Sequence, residues 1–152
     1  MYDVLVYVFE HCRQADVSQN SELVAKKLSA AGFEESDISE ALHWLAGVLR
    51  NRHRGVAELP DSRSAFRAYA VKEMAKLGAD ARGYLMTLER SGVLTPLMRE
   101  LVIERALAAS GDMISLEQIK LIVLMVMWNH GTEARRLLAE ELFAPSEHRL
   151  PN

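Results

Sequence analysis

Eight consecutive apolar residues, Leu121 to Trp128, close the stretch LEQIKLIVLMVMW that begins at Leu116, and no other segment limits the fold as tightly. A helix apolar on every side must be buried on every side. The run covers only about 12 Å at a helical rise of 1.5 Å per residue, far short of a bilayer, and Glu117 and Lys120 stand one turn upstream. The stretch predicts the central helix of a bundle, wrapped by its neighbours, with no membrane span. Such a bundle leaves no room at its middle for a reactive centre.

A chain of 152 residues is one domain or two small ones and buries enough surface to fold without a metal or disulfide. Its net charge of -3 provides no overall attraction to phosphate, so a nucleic-acid partner would need a local basic patch. Cys12 is the single cysteine, which excludes an internal disulfide and multi-cysteine metal motifs. Asp3 beside the start, with no basic region or small-residue cleavage site, argues against a secretory signal. The expected compartment is the cytoplasm.

Read in order, Val4, Leu5, Val8, Phe9 and Cys12 recur at helical spacing, although the β-branched content leaves a strand open. Asn20 or Ser21 caps a second helix carrying Leu23, Val24, Leu28 and Ala31, and Gly32 closes it. Ser36 opens a third, with Ile38, Ala41, Leu42, Leu45, Val48 and Leu49 facing inward and Phe33 plugging the corner. The periodicity stops at Arg50, and NRHRGVAELPDSRS reads as a linker or exposed loop. A short helix runs from Val71 to Leu77 and stops at Gly78, and Ala81, Tyr84, Leu85 and Leu88 mark the next, ended by Gly92. Thr95 and Pro96 start another helix that Gly111 breaks, and Ser115 caps the central one. Beyond Gly131, Ala134, Leu137, Leu138, Leu142 and Phe143 share one side of a last helix, and Pro145 onward is a tail.

The fold class is thus all-α: an N-terminal three-helix unit over 1–50, an arginine-rich linker over 51–68, a C-terminal bundle over 69–144 and a tail over 145–152. Gly92-Val93-Leu94-Thr95 and Asp112-Met113-Ile114-Ser115 echo one another, each two apolar residues and a hydroxyl before a helix, so the two loops are expected to pair. Neither supplies the alternating oxygen ligands of a calcium loop.

Five segments resemble the Smg family: DVLVYVFE at Asp3, AGFEESDISEALHWL at Ala31, RGYLMTLERSGVLT at Arg82, RELVIERALA at Arg99 and IKLIVLMVMWN at Ile119. The resemblance spans nearly the whole chain and fades over Arg13 to Gln19 and Asn51 to Ser64. It implies a cytoplasmic bacterial protein whose gene lies near genes for DNA processing and topoisomerase, and it carries over no catalytic residue, cofactor or ligand. Over a few residues, Gly32-Phe33 with Ile38, Ala41 and Leu42 is also similar to ubiquitin-associated-like and RecX-like three-helix repeats, which favours interaction over catalysis.

The helices flanking Gly32 have the layout of a helix-turn-helix, and Arg50, Arg52, Arg54, Arg63 and Arg67 would supply phosphate contacts. Against base reading, Glu34, Glu35, Asp37 and Glu40 crowd the start of the would-be recognition helix. Trp44 is expected as a core anchor, and the alternative makes it, with His43, the candidate centre of a protein-docking patch. Cys12 falls on an apolar stripe, where with His11 and His43 it makes a poor nucleophile or metal site. Arg99, Glu100, Glu104 and Arg105 are expected to form structural ion pairs rather than an acid/base pair. Phosphate loops, nucleophile elbows and zinc signatures do not occur. These residues together point to a non-enzymatic interaction or regulatory protein with no cofactor and a protein partner; the alternative is a nucleic-acid-binding protein linked to DNA processing or topology.

Overall fold

Ser115 and Gln118 start the central helix with reciprocal bonds: the Ser115 hydroxyl accepts from the Gln118 amide at 3.2 Å, and the Gln118 side chain accepts from the Ser115 amide at 3.0 Å. The computed structural model describes residues 1–51, 71–128 and 140, and among these eight helices are formed. They are α1 (Tyr2–His11), α2 (Gln14–Gln19), α3 (Ser21–Ala30), α4 (Glu35–Asn51), α5 (Val71–Lys76), α6 (Ala79–Arg90), α7 (Pro96–Ala108) and α8 (Leu116–Val126). The chain is all-α, and among the described residues one isolated bridge joins Leu77 and Ile114. No helix among the described residues is long and apolar enough to cross a membrane.

Every residue from Leu121 to Trp128 is buried, as a run apolar on all sides requires. The covering helices come from both ends of the sequence: α1, α6 and α7 pack on α8. Phe9 of α1 reaches Trp128 with ring centroids 5.8 Å apart, and the strand left open for this segment is not formed. Helix α4 in turn lies against α7 and α1, so the N-terminal helices and the C-terminal ones share one hydrophobic core.

The helix ends follow local chemistry. Gly32 and Gly92 sit at φ +98 and +81, a left-handed conformation that side chains resist. Each closes its helix with the paired bonds of a Schellman turn, Phe33 N–H to Leu28 O and Gly32 N–H to Ser29 O in one, Val93 N–H to Leu88 O and Gly92 N–H to Glu89 O in the other. The Thr95 hydroxyl accepts from the Met98 amide at 3.2 Å, and Pro96 occupies the first turn of α7.

The structure departs from the sequence reading at three places. The N-terminal region holds four helices rather than three, because α2 fills the stretch from Gln14 to Gln19. Among its described side chains the only buried anchor is Val17, and six residues with one such anchor show no period. Helix α4 starts at Glu35, one residue before the Ser36 expected to open it. The loop after α7 pairs not with Gly92-Thr95 but with the end of α5, where Ile114 N–H donates to Lys76 O at 2.9 Å. Leu94 could not offer its amide, which is already bonded to Leu88 O within its own turn. Residues 52–68 of the expected linker over 51–68, the expected last helix apart from Glu140, and the expected tail lie outside the described residues.

Candidate functional site

Along α4 the residues Ile38, Ala41, Leu45 and Val48, spaced three and four apart, are buried and make the contact face. Leu42 and Leu49, placed in the same stripe by the sequence reading, are only half-buried. They border an open groove of about 600 Å³ whose other wall is Val17 and Ser18 of α2 and Ser21 at the start of α3. The exposed Ala46 lies between the two leucines on the α4 wall, with His43 and Arg50 completing the lining. From Leu42 to Arg50 this wall is about two helical turns, or roughly 12 Å.

The groove joins two residues that the sequence reading assigned to different tasks, His43 of the docking pair and Arg50 of the arginine cluster. Among the described residues its lining carries no carboxylate. The acidic residue of α2, Asp16, acts instead on Cys12. Arg52, Arg54, Arg63 and Arg67 lie outside the described residues, as do His53, His130 and His148. Ala46, Leu49, Val17, Ser18 and Ser21 were not singled out as site residues. The available signal was the width of the α4 stripe: Leu42 and Leu49 exceed what one contact face requires.

Trp44 is placed in the core, 3% exposed, rather than on a docking patch. Its indole N–H donates to Arg105 O at 2.9 Å, while Arg105 Nη1 donates to Trp44 O at 3.1 Å. The guanidinium passes over Gly47, where a Cβ would lie 1.9 Å from Nη1. Glycine in mid-helix costs about 1 kcal/mol relative to alanine, and here it makes room for this exchange of bonds between α4 and α7.

The charged residues of α7 are neutralised within the fold. Arg99, 5% exposed, pairs with Glu89 at 2.5 Å and Glu100 at 3.1 Å, and Arg105 pairs with Glu104 at 3.1 Å. Burial pushes the Cys12 thiol above its ordinary range; the Lys27 ammonium pulls it back and Asp16 raises it further. A thiol held protonated in this way is not a nucleophile. His11 stacks on Tyr7 with centroids 4.2 Å apart and faces Tyr7 O at 3.2 Å. No group of three His, Cys, Asp or Glu side chains among the described residues could hold a metal ion.

Residues 1–151 match the family described as Protein of unknown function (DUF494). The chain is 43% identical over 150 residues to the Protein Smg homolog of Aromatoleum aromaticum, covering 99% of this chain and 97% of the relative. It is 44% identical over 147 residues to the Protein Smg homolog of Azoarcus sp. strain BH72, covering 97% and 95%. To that of Herminiimonas arsenicoxydans it is 43% identical over 158 residues, covering 99% and 98%. No solved structure matches. Matched from one end to the other by both the family and these relatives, the chain belongs to the Smg family, the proteins of unknown function grouped as DUF494.

Proposed function

We propose that this protein is a non-catalytic docking module that works in the cytoplasm and receives a protein partner in the groove between α2 and α4. The observation that carries the reading is the character of that groove: open, about 600 Å³, with Val17, Leu42, Ala46 and Leu49 presenting apolar surface to whatever enters. Apolar concavities with a few polar groups are the usual seats of ligands and of partner helices. The ion-paired carboxylates of α7 and the protonated Cys12 add support, since they withdraw the sequence's most reactive residues from chemistry.

A photo-crosslinking residue placed at Ala46 tests the reading in the native cell. A discrete protein adduct is expected from Ala46 and not from Ser29, which is exposed but outside the groove. Loss of that adduct on Leu42→Asp would tie it to the groove; equal adducts from both positions, or none, would remove the docking role. The nucleic-acid alternative has one described residue, Arg50, and acidic residues at the start of α4. It predicts binding to DNA or RNA that weakens steeply with salt, and weakens uniformly across sequences in Arg50→Ala.

A further inference from the structure

Building on the docking reading, we infer that the segment the groove accepts is an amphipathic helix with an acidic residue beside its apolar stripe, which Arg50 recognises. The first support is charge. Arg99 and Arg105 are spent on Glu89, Glu100 and Glu104, whereas Arg50 makes no ion pair with a described residue and stands exposed at the groove's end. Its companion His43 is also exposed, and no described residue of the lining is a carboxylate. An arginine beside an apolar trough, with no anion among the described residues, is complementary to a ligand that brings both an apolar face and a negative charge.

The second support is shape. The α4 wall runs about two turns, so it matches two turns of an incoming helix with apolar residues at i, i+4 and i+7. Ser18, Ser21 and Ala46 are small, which lets a helix approach closely, while Leu42 and Leu49 give its apolar residues something to pack against. The charge on the incoming helix then has one place to sit, at the Arg50 end, and this fixes the direction in which the helix lies. A basic helix would set its charge against Arg50 with no described residue of the lining to offset it.

The test presents the full-length protein with a displayed library of helical peptides about 16 residues long, long enough to hold a helix. Leucine is fixed at i, i+4 and i+7, and the flanking positions vary among Asp, Glu, Gln and Lys. Selected peptides should be enriched in Asp or Glu at one flank, and a representative should bind Arg50→Glu about five- to tenfold more weakly. Selection against Arg50→Glu should shift that flank toward Lys. Ala46→Asp should abolish binding; both positions are exposed, so unchanged urea midpoints will show that the variants fold.

Peptides that lose binding in Ala46→Asp but show no acidic preference, or ignore Arg50→Glu, overturn the acidic-helix inference and leave the docking reading intact. If no selected peptide depends on Ala46, the docking reading falls and the inference falls with it. A labelled oligonucleotide run in parallel covers the other anion: groove-dependent binding of DNA, blocked by Ala46→Asp, replaces the helix as occupant.

Discussion

Gly47 shows how much one residue decides. A Cβ there would meet Arg105 Nη1 at 1.9 Å, whereas at Gly83, also within a helix, it would meet nothing within 4 Å. The two glycines therefore respond oppositely to alanine. Gly83→Ala should stabilise the protein by about 0.5–1 kcal/mol, the helix-propensity gain alone. In Gly47→Ala the same gain is offset because the guanidinium must leave Trp44 O, a loss of about 1–2 kcal/mol for a charged donor. Urea unfolding should place Gly47→Ala below Gly83→Ala by about 1–2 kcal/mol. With Arg105→Ala already present the penalty should vanish, so the cycle assigns it to that pair. The signal in the sequence was a glycine inside an otherwise regular stripe, which periodicity passes over because glycine has no side chain to count.

At the scale of the element, α5 sets the sharpest question, because six residues with none buried cannot hold a helix alone. Its last residue answers it. Lys76 Nζ donates to Leu107 O at 3.0 Å and also to Ala109 O, using the carbonyls that end α7, and Lys76 O accepts from Ile114 N–H. Lys76→Met should speed amide exchange across 71–77 and at Ile114 while the buried amides of α8 stay protected, and Lys76→Arg should restore part of the protection. Exchange unchanged in Lys76→Met would mean that α5 is held by other contacts. Elements of this kind also mark where sequence reading stops. Helices with a stripe of several anchors, such as α4 and α8, were legible, and so were the cap of α7 at Thr95 and that of α8 at Ser115. Helix α2, with Val17 alone, was not, and neither was the pairing of Leu77 with Ile114, which depends on where α7 delivers the loop. The groove was half legible: its leucines were on the page, but that they share their packing between the core and a groove follows from α2, the element the pattern did not reveal.

For the whole molecule, the question is whether the helices before residue 52 and those after residue 70 act as one body. Reading composition alone splits the chain at Arg50, because periodicity lapses there. Packing argues against two independent units. Helix α1 supplies Val4, Leu5 and Val8 to the same core that receives Ile119, Ile122 and Met125 from α8, and the Trp44–Arg105 exchange fastens α4 to α7. Neither set of helices covers its apolar surface without the other: α8 stripped of α1 would expose part of a helix that has no polar face between Leu121 and Val126. The halves should therefore unfold together. Leu5→Ala, at a fully buried position in α1, should lower stability by about 2–5 kcal/mol. The loss should appear in one transition, with tryptophan fluorescence and far-ultraviolet circular dichroism coincident and the urea m-value unchanged. Trp44 and Trp128 report from α4 and from the end of α8, so both ends of the shared core contribute to the fluorescence. A second transition, in which part of the helical signal survives the loss of the N-terminal helices, would show that the C-terminal helices form a core of their own and that α1 only rests upon it.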